Sequence, residues 1–181
     1  MALSGVVLLG PLGFENAYAL AMRREKASEL GISTIADLAR HAGDLTFGTD
    51  LEFLSRPEWA ALRDAYGLNF RAQRSYTPTF MYRAIDSGDA DVITAFSSDG
   101  RIAAQGLTVL ADPKHAIPAY DAVLLVSPKR AKDALIARAL KPLIGKIAVE
   151  RMREANFMVD RDTDKATPRE AARFLAQAAG L

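Results

Sequence analysis

The chain has 181 residues, and its charges nearly cancel, with 23 Lys and Arg against 22 Asp and Glu. A composition that is 50% hydrophobic and 25% charged is that of a globular protein, either one generous domain or two small lobes sharing the chain. The balance excludes a basic footprint for nucleic acid, and no apolar run reaches the roughly 18 residues of a membrane span. The absence of cysteine removes disulfides, thiolate catalysis and Cys-based zinc or iron–sulfur sites.

The first stretch, Met1 to Pro11, lacks the basic residues that open a signal peptide. Val6 to Leu9 is expected to be a buried strand that turns at Gly10-Pro11. Phe14 to Arg23 fits a strand or a helix equally by periodicity. Thr34 is a plausible cap for a helix running to His41, with Asp37 three places on and a turn at Gly43. Leu45 to Thr49 is a short strand that delivers the chain to Asp50. If that strand continued, Asp50 and Glu52 would share a side. Pro57 to Ala65 is a helix with Pro57 in its first turn, closed by Tyr66-Gly67.

Phe80 to Asp86 is expected to be helical and to stop at Ser87-Gly88. Asp91 to Phe96, Leu107 to Leu110 and Ala122 to Val126 are strands, and Ala131–Leu140, Ile147–Ala155 and Pro168–Ala179 are helices, the last capped by Thr167. Strands alternating with helices give an α/β class with mostly parallel sheets.

Few residues suggest reaction chemistry. Ser97, Ser98 and Asp99 cluster at a strand end, but no G-x-S-x-G elbow surrounds a serine, and His41 and His115 lie in unrelated loops. No nucleophile, base and orienting group occur together, so the chain does not read as an enzyme, and two isolated histidines make no metal site. Gly10-Pro11-Leu12-Gly13 lacks the ending of a phosphate loop. Tyr18, Phe53, Phe96 and Tyr120 fall at or just after predicted strand ends, where the loops of an α/β sheet converge on ligands, and Arg56 follows Phe53 by three residues. By composition alone each ring is a core residue as readily as a cage wall.

Pro11-Leu12-Gly13-Phe14-Glu15-Asn16-Ala17-Tyr18-Ala19-Leu20-Ala21-Met22-Arg23 resembles a stretch of the substrate-binding proteins of glycine betaine/choline/proline-type ABC transporters. So do Thr34 to Ala39, Glu52-Phe53-Leu54-Ser55-Arg56-Pro57, Ala84 to Val92, Ala95-Phe96-Ser97-Ser98-Asp99-Gly100-Arg101-Ile102, Ile117-Pro118-Ala119-Tyr120, and Phe174-Leu175 through Gly180-Leu181. They occur in the family's order over nearly the whole chain.

The resemblance implies a type II periplasmic-binding-protein fold in which two lobes close on a quaternary ammonium solute. A trimethylammonium head is cationic but has no N–H, so aromatic faces are its natural partners, at about 0.5–2 kcal/mol each. Carried over by position, Tyr18, Phe53, Phe96 and Tyr120 are cage walls, Arg56 meets a betaine carboxylate, and Asn16 orients Tyr18 or touches ligand. Phe96 stands where many relatives have Tyr, which keeps the π face and loses a hydroxyl. Asp99 and Arg101 are expected to brace the strand end.

Relatives also carry a further N-terminal segment that builds most of the first lobe. The expectation is therefore one complete lobe at about 10–110, with 1–9 and 111–181 supplying hinge strands and the returning part of the other lobe. An incomplete lobe leaves apolar surface, from which a homo-oligomer is expected. The implied partners are a quaternary ammonium molecule and the transporter permease, with no cofactor, no metal and no nucleic acid. The implied location is periplasmic or extracytoplasmic, although the chain itself reads as having no signal peptide. Two alternatives stand beside this: a binding protein for another small solute, or a ligand-incompetent fragment serving as an oligomeric interaction module.

Overall fold

A computed structural model describes residues 5–181 (for Thr79, the backbone). Residues 1–4, part of the expected first hinge segment, lie outside the described residues. The chain divides into two compact units, one formed by Ala17–Ala119 and the other by the described residues through Asn16 together with Tyr120–Leu181.

The chain opens in the second of these with β1 (Val7–Glu15). Gly10-Pro11, expected as a turn, lies inside this strand, which absorbs it through register shifts between Leu8 and Gly10 and between Pro11 and Glu15. In a two-stranded ribbon each strand has an open edge, so a proline need not remove a ladder hydrogen bond.

The unit Ala17–Ala119 begins with β2 (Tyr18–Arg23), which resolves the ambiguous Phe14–Arg23 stretch as two strands that part at Asn16 and Ala17. There follow α1 (Arg24–Glu29), α2 (Ile35–His41), β3 (Thr46–Thr49), α3 (Leu51–Ser55) and α4 (Pro57–Tyr66). Then come β4 (Ala72–Ser75), α5 (Pro78–Ser87), β5 (Val92–Phe96), α6 (Arg101–Ala104) and β6 (Leu107–Val109). The caps explain several boundaries. Thr34 Oγ1 accepts the Asp37 N–H at 3.0 Å while Asp37 Oδ2 accepts the Thr34 N–H at 2.9 Å, a reciprocal capping box. Five hydrogen-bond donors on Asp37, from Thr34, Ser33 and Arg40, hold its carboxyl far below the usual carboxylate range. α4 closes on Gly67, whose φ of 67° is the left-handed conformation that glycine adopts without a Cβ clash.

The five strands are ordered β4-β3-β5-β2-β6. β3 runs parallel to β4 and β5, whereas β2 is antiparallel to both β5 and β6. The sheet is thus mixed, a correction to the mostly parallel sheet expected from alternation. Strand direction is set by how the connections return, which alternation does not encode.

Both faces of the sheet are covered. Leu20, Met22, Phe47 and Val92 pack against Ile35 and Leu38 of α2 and Trp59 and Leu62 of α4, and the opposite face sets Ala21, Ile93 and Ala95 against Met81 and Ile85 of α5 and Ile102 of α6. Successive residues of a strand point to opposite faces, so neighbours such as Val92 and Ile93 enter different cores.

The other unit pairs β1 antiparallel with β7 (Asp121–Val126) and adds α7 (Ala134–Leu140), α8 (Val149–Asp160) and α9 (Pro168–Ala178). α7 starts later than expected because the Asp133 side chain accepts the N–H groups of Leu135 and Ile136 and so sets its cap. Thr167 and Glu170 form a second capping box, and Pro168 occupies the first position of α9. Among the described residues no helix is long and apolar enough to cross a membrane.

Candidate functional site

The strand order brings three chain segments to one edge of the five-stranded sheet. β3 and β5 are parallel, so their C-terminal ends lie together, and the antiparallel β2 starts at that same edge. Tyr18 and Phe96 are directly opposed in the β2–β5 register. Their ring centroids are 4.8 Å apart at 33°. Two hydrogen bonds hold this corner: Ala17 N–H donates to Ser97 Oγ at 3.0 Å, and Ser97 N–H donates to the Ala17 carbonyl at 2.8 Å. This is the end of an α/β sheet at which ligands are characteristically bound.

The third contributor arrives through an unexpected helix. β3 does not continue into Asp50 and Glu52, as the shared-side reading required. Instead Asp50 Oδ1 accepts the Phe53 N–H at 2.8 Å and caps α3. An aspartate directly after a strand is the signal that would have found this turn, because a carboxylate satisfies an otherwise orphaned helical N–H. α3 drives Phe53 into the core, 0% exposed, with its ring 4.8 Å from Tyr18, 6.4 Å from Phe47 and 6.1 Å from Trp59. A ring with no accessible surface touches no solute in this conformation. Phe53 therefore packs directly behind the Tyr18 ring. Tyr18 is 9% exposed and Phe96 43%.

Arg56 closes α3. Its guanidinium carbon lies over the Tyr18 ring, 5.4 Å from the centroid, and its Nη2 is hydrogen-bonded to Glu52. That bond raises the Arg56 pKa further. The expected carboxylate fork is thus already held by a carboxylate of its own helix. Burial raises the Tyr18 hydroxyl pKa; Arg56 opposes this, and the carboxylates Asp50, Glu52 and Glu58 add to it.

Beside the Tyr18–Phe96 pair lies a small open cavity of about 50 Å³, entirely within this unit, with Asp50, Tyr82, Thr94 and Asp99 in its wall. Tyr82 OH donates to Asp99 Oδ2 at 2.7 Å, and Asp99 Oδ1 accepts the Arg101 N–H at 3.0 Å, so Asp99 does brace the strand end and also faces the cavity. Thr49 and Thr94 share a buried hydrogen bond of 3.0 Å that ties β3 to β5 beneath it. Sequence reasoning passed over Tyr82, whose position in a helix gave no hint that its hydroxyl reaches a strand end.

Tyr18, Phe53, Arg56 and Phe96 are therefore assembled within Ala17–Ala119. The two remaining candidates belong to the other unit and neighbour each other: the Asn16 N–H donates to the Tyr120 carbonyl at 3.0 Å, and Tyr120 is 43% exposed. No group of three or more His, Asp or Glu that could hold a metal occurs among the described residues.

A family model for the substrate-binding domain of ABC-type glycine betaine transport systems matches residues 2–177. A glycine-betaine-binding protein of Pseudomonas aeruginosa is 31% identical over 96% of this chain and 60% of its own length. An ergothioneine transport permease/ergothioneine binding protein of Helicobacter pylori is 30% identical over 96% of this chain and 31% of its own length. The crystal structure of a glycine betaine/carnitine/choline ABC transporter superposes with a TM-score of 0.88 and 28% identity, covering 97% of this chain and 65% of that one. The chain thus spans less than two thirds of each of these relatives.

Proposed function

The chain belongs to the substrate-binding domains of ABC-type glycine betaine transport systems, a family of transport proteins and not of enzymes, and from that premise we propose that it binds a quaternary ammonium solute such as glycine betaine or choline for an ABC importer. The observation that carries the reading is the Tyr18–Phe96 pair beside a cavity walled in part by Asp50 and Asp99. A methylated ammonium has no proton to donate and is held by π faces and surrounding negative charge, and this corner supplies both. Phe53 fixes the Tyr18 ring from behind. Tyr120 and Asn16 are the contributions proposed from the other unit. The partner is the importer's permease, and the setting is extracytoplasmic.

Titration calorimetry with glycine betaine and choline tests the reading. Saturable binding to the chain is expected, and Tyr18→Ala is expected to abolish it. Binding that survives Tyr18→Ala at full strength removes the cage. An assembly follows from the exposed face of the β1–β7 ribbon, where Leu8, Val123 and Leu125 are all solvent-facing: we propose that a second copy of this chain covers it.

A further inference from the structure

The side chains around Tyr18 are unequal in charge. Asp50 and Asp99 stand in the cavity wall, and Glu52 and Glu58 add their fields at the Tyr18 ring. Against these carboxylates, the cation acting on the ring among the described residues is Arg56, and it is bound to Glu52. Among the described residues no Lys or Arg lines the cavity itself, although the Arg101 guanidinium lies over the Tyr82 ring of its wall, 5.6 Å from the centroid.

We infer that the site discriminates by net charge, taking quaternary ammonium cations that lack a carboxylate, choline being the simplest, in preference to zwitterionic betaines. Asp50 is the specificity-determining residue, and the Glu52–Arg56 pair is what denies a betaine its counter-charge. The inference rests on the quaternary ammonium reading above and narrows it.

Both kinds of solute present the same trimethylammonium head to the rings, so the π faces alone cannot separate them. A betaine also carries a carboxylate one methylene away, which must lie in the same field of negative charge. To meet that carboxylate, the Arg56 guanidinium would first have to leave Glu52. Repulsion between like charges in a partly desolvated cavity is large enough to decide between two ligands that are otherwise alike.

Two variants isolate the charges. Asp50→Asn keeps an acceptor for the Phe53 N–H, since asparagine is as good an N-cap as aspartate, and so preserves α3 while removing the charge. Glu52→Gln releases the Arg56 guanidinium. Calorimetry with choline and glycine betaine on the same protein samples reads a ratio of affinities, in which any unfolded fraction cancels. The wild-type chain is expected to prefer choline by about tenfold, the scale of one unit-charge interaction that solvent largely screens. Asp50→Asn is expected to erase most of that preference by weakening choline, and Glu52→Gln to reduce it by strengthening betaine. A wild-type chain that binds glycine betaine as tightly as choline, or a ratio that neither variant moves, overturns the inference and leaves the quaternary ammonium reading standing. No saturable binding of either ligand overturns that reading, and this one with it.

Discussion

Phe96 and Phe53 lie next to the same tyrosine and are expected to fail in opposite ways when truncated. Phe96 is 43% exposed at the end of β5, with one ring neighbour at 4.8 Å. Phe96→Ala removes a half-solvated ring whose pairing with Tyr18 contributes about 0.5–1.5 kcal/mol beyond its area. The fold should tolerate this. The same change removes one accessible π face from the cation, about 0.5–2 kcal/mol, which weakens choline roughly 2- to 30-fold.

Phe53 is 0% exposed and touches three rings, those of Tyr18, Phe47 and Trp59. Truncating such a residue costs about 3–5 kcal/mol through lost burial and the cavity left behind, a large share of a typical domain's ~5–15 kcal/mol. Phe53→Leu keeps most of the volume and should fold, with a smaller loss of binding than Phe96→Ala. Thermal melts read the first property and calorimetry with choline the second. The division of wall from support is refuted if Phe96→Ala melts as low as Phe53→Ala, or if it binds choline as tightly as the wild type while Phe53→Leu does not.

Two further outcomes are expected. Tyr66 OH donates to Asp112 and accepts the Lys114 N–H at 2.8 Å, and burial, with Asp112 as the second cause, pushes its pKa up to about 12 from the usual 10.0. A raised folded-state pKa stabilises below the unfolded value and loses that contribution as pH climbs, so stability should fall between pH 10.0 and about 12, a limb of the urea-midpoint profile that Tyr66→Phe flattens. Light scattering at high concentration is expected to report a dimer or larger species, and replacing Val123 and Leu125 with serine should shift it to monomer; a wild-type chain that is monomeric throughout rules out the proposed second copy.

Local chemistry was readable from the sequence where a boundary depends on neighbours in the chain. Thr34 with Asp37, Thr167 with Pro168 and Glu170, and Gly67 after α4 mark helix ends because the groups that satisfy orphaned backbone donors lie within one turn. The apolar runs around Val92 and Val123 were legible as strands for a similar reason, and the family's ordered motifs were legible across nearly the whole chain.

Other features required the tertiary structure. The antiparallel course of β2 between β5 and β6 depends on which strands its connections reach, and so does the separation of Asn16 from Ala17 into different units. The aromatic corner is the clearest case: Tyr18, Phe53 and Phe96 meet because three strands end at one edge of a sheet. The burial of Phe53 was decided by α3, whose cap at Asp50 turns that ring inward and sets Arg56 over Tyr18. A residue type specifies what a side chain can bind, while its accessibility is fixed by everything packed around it, and that packing is assembled from distant parts of the chain.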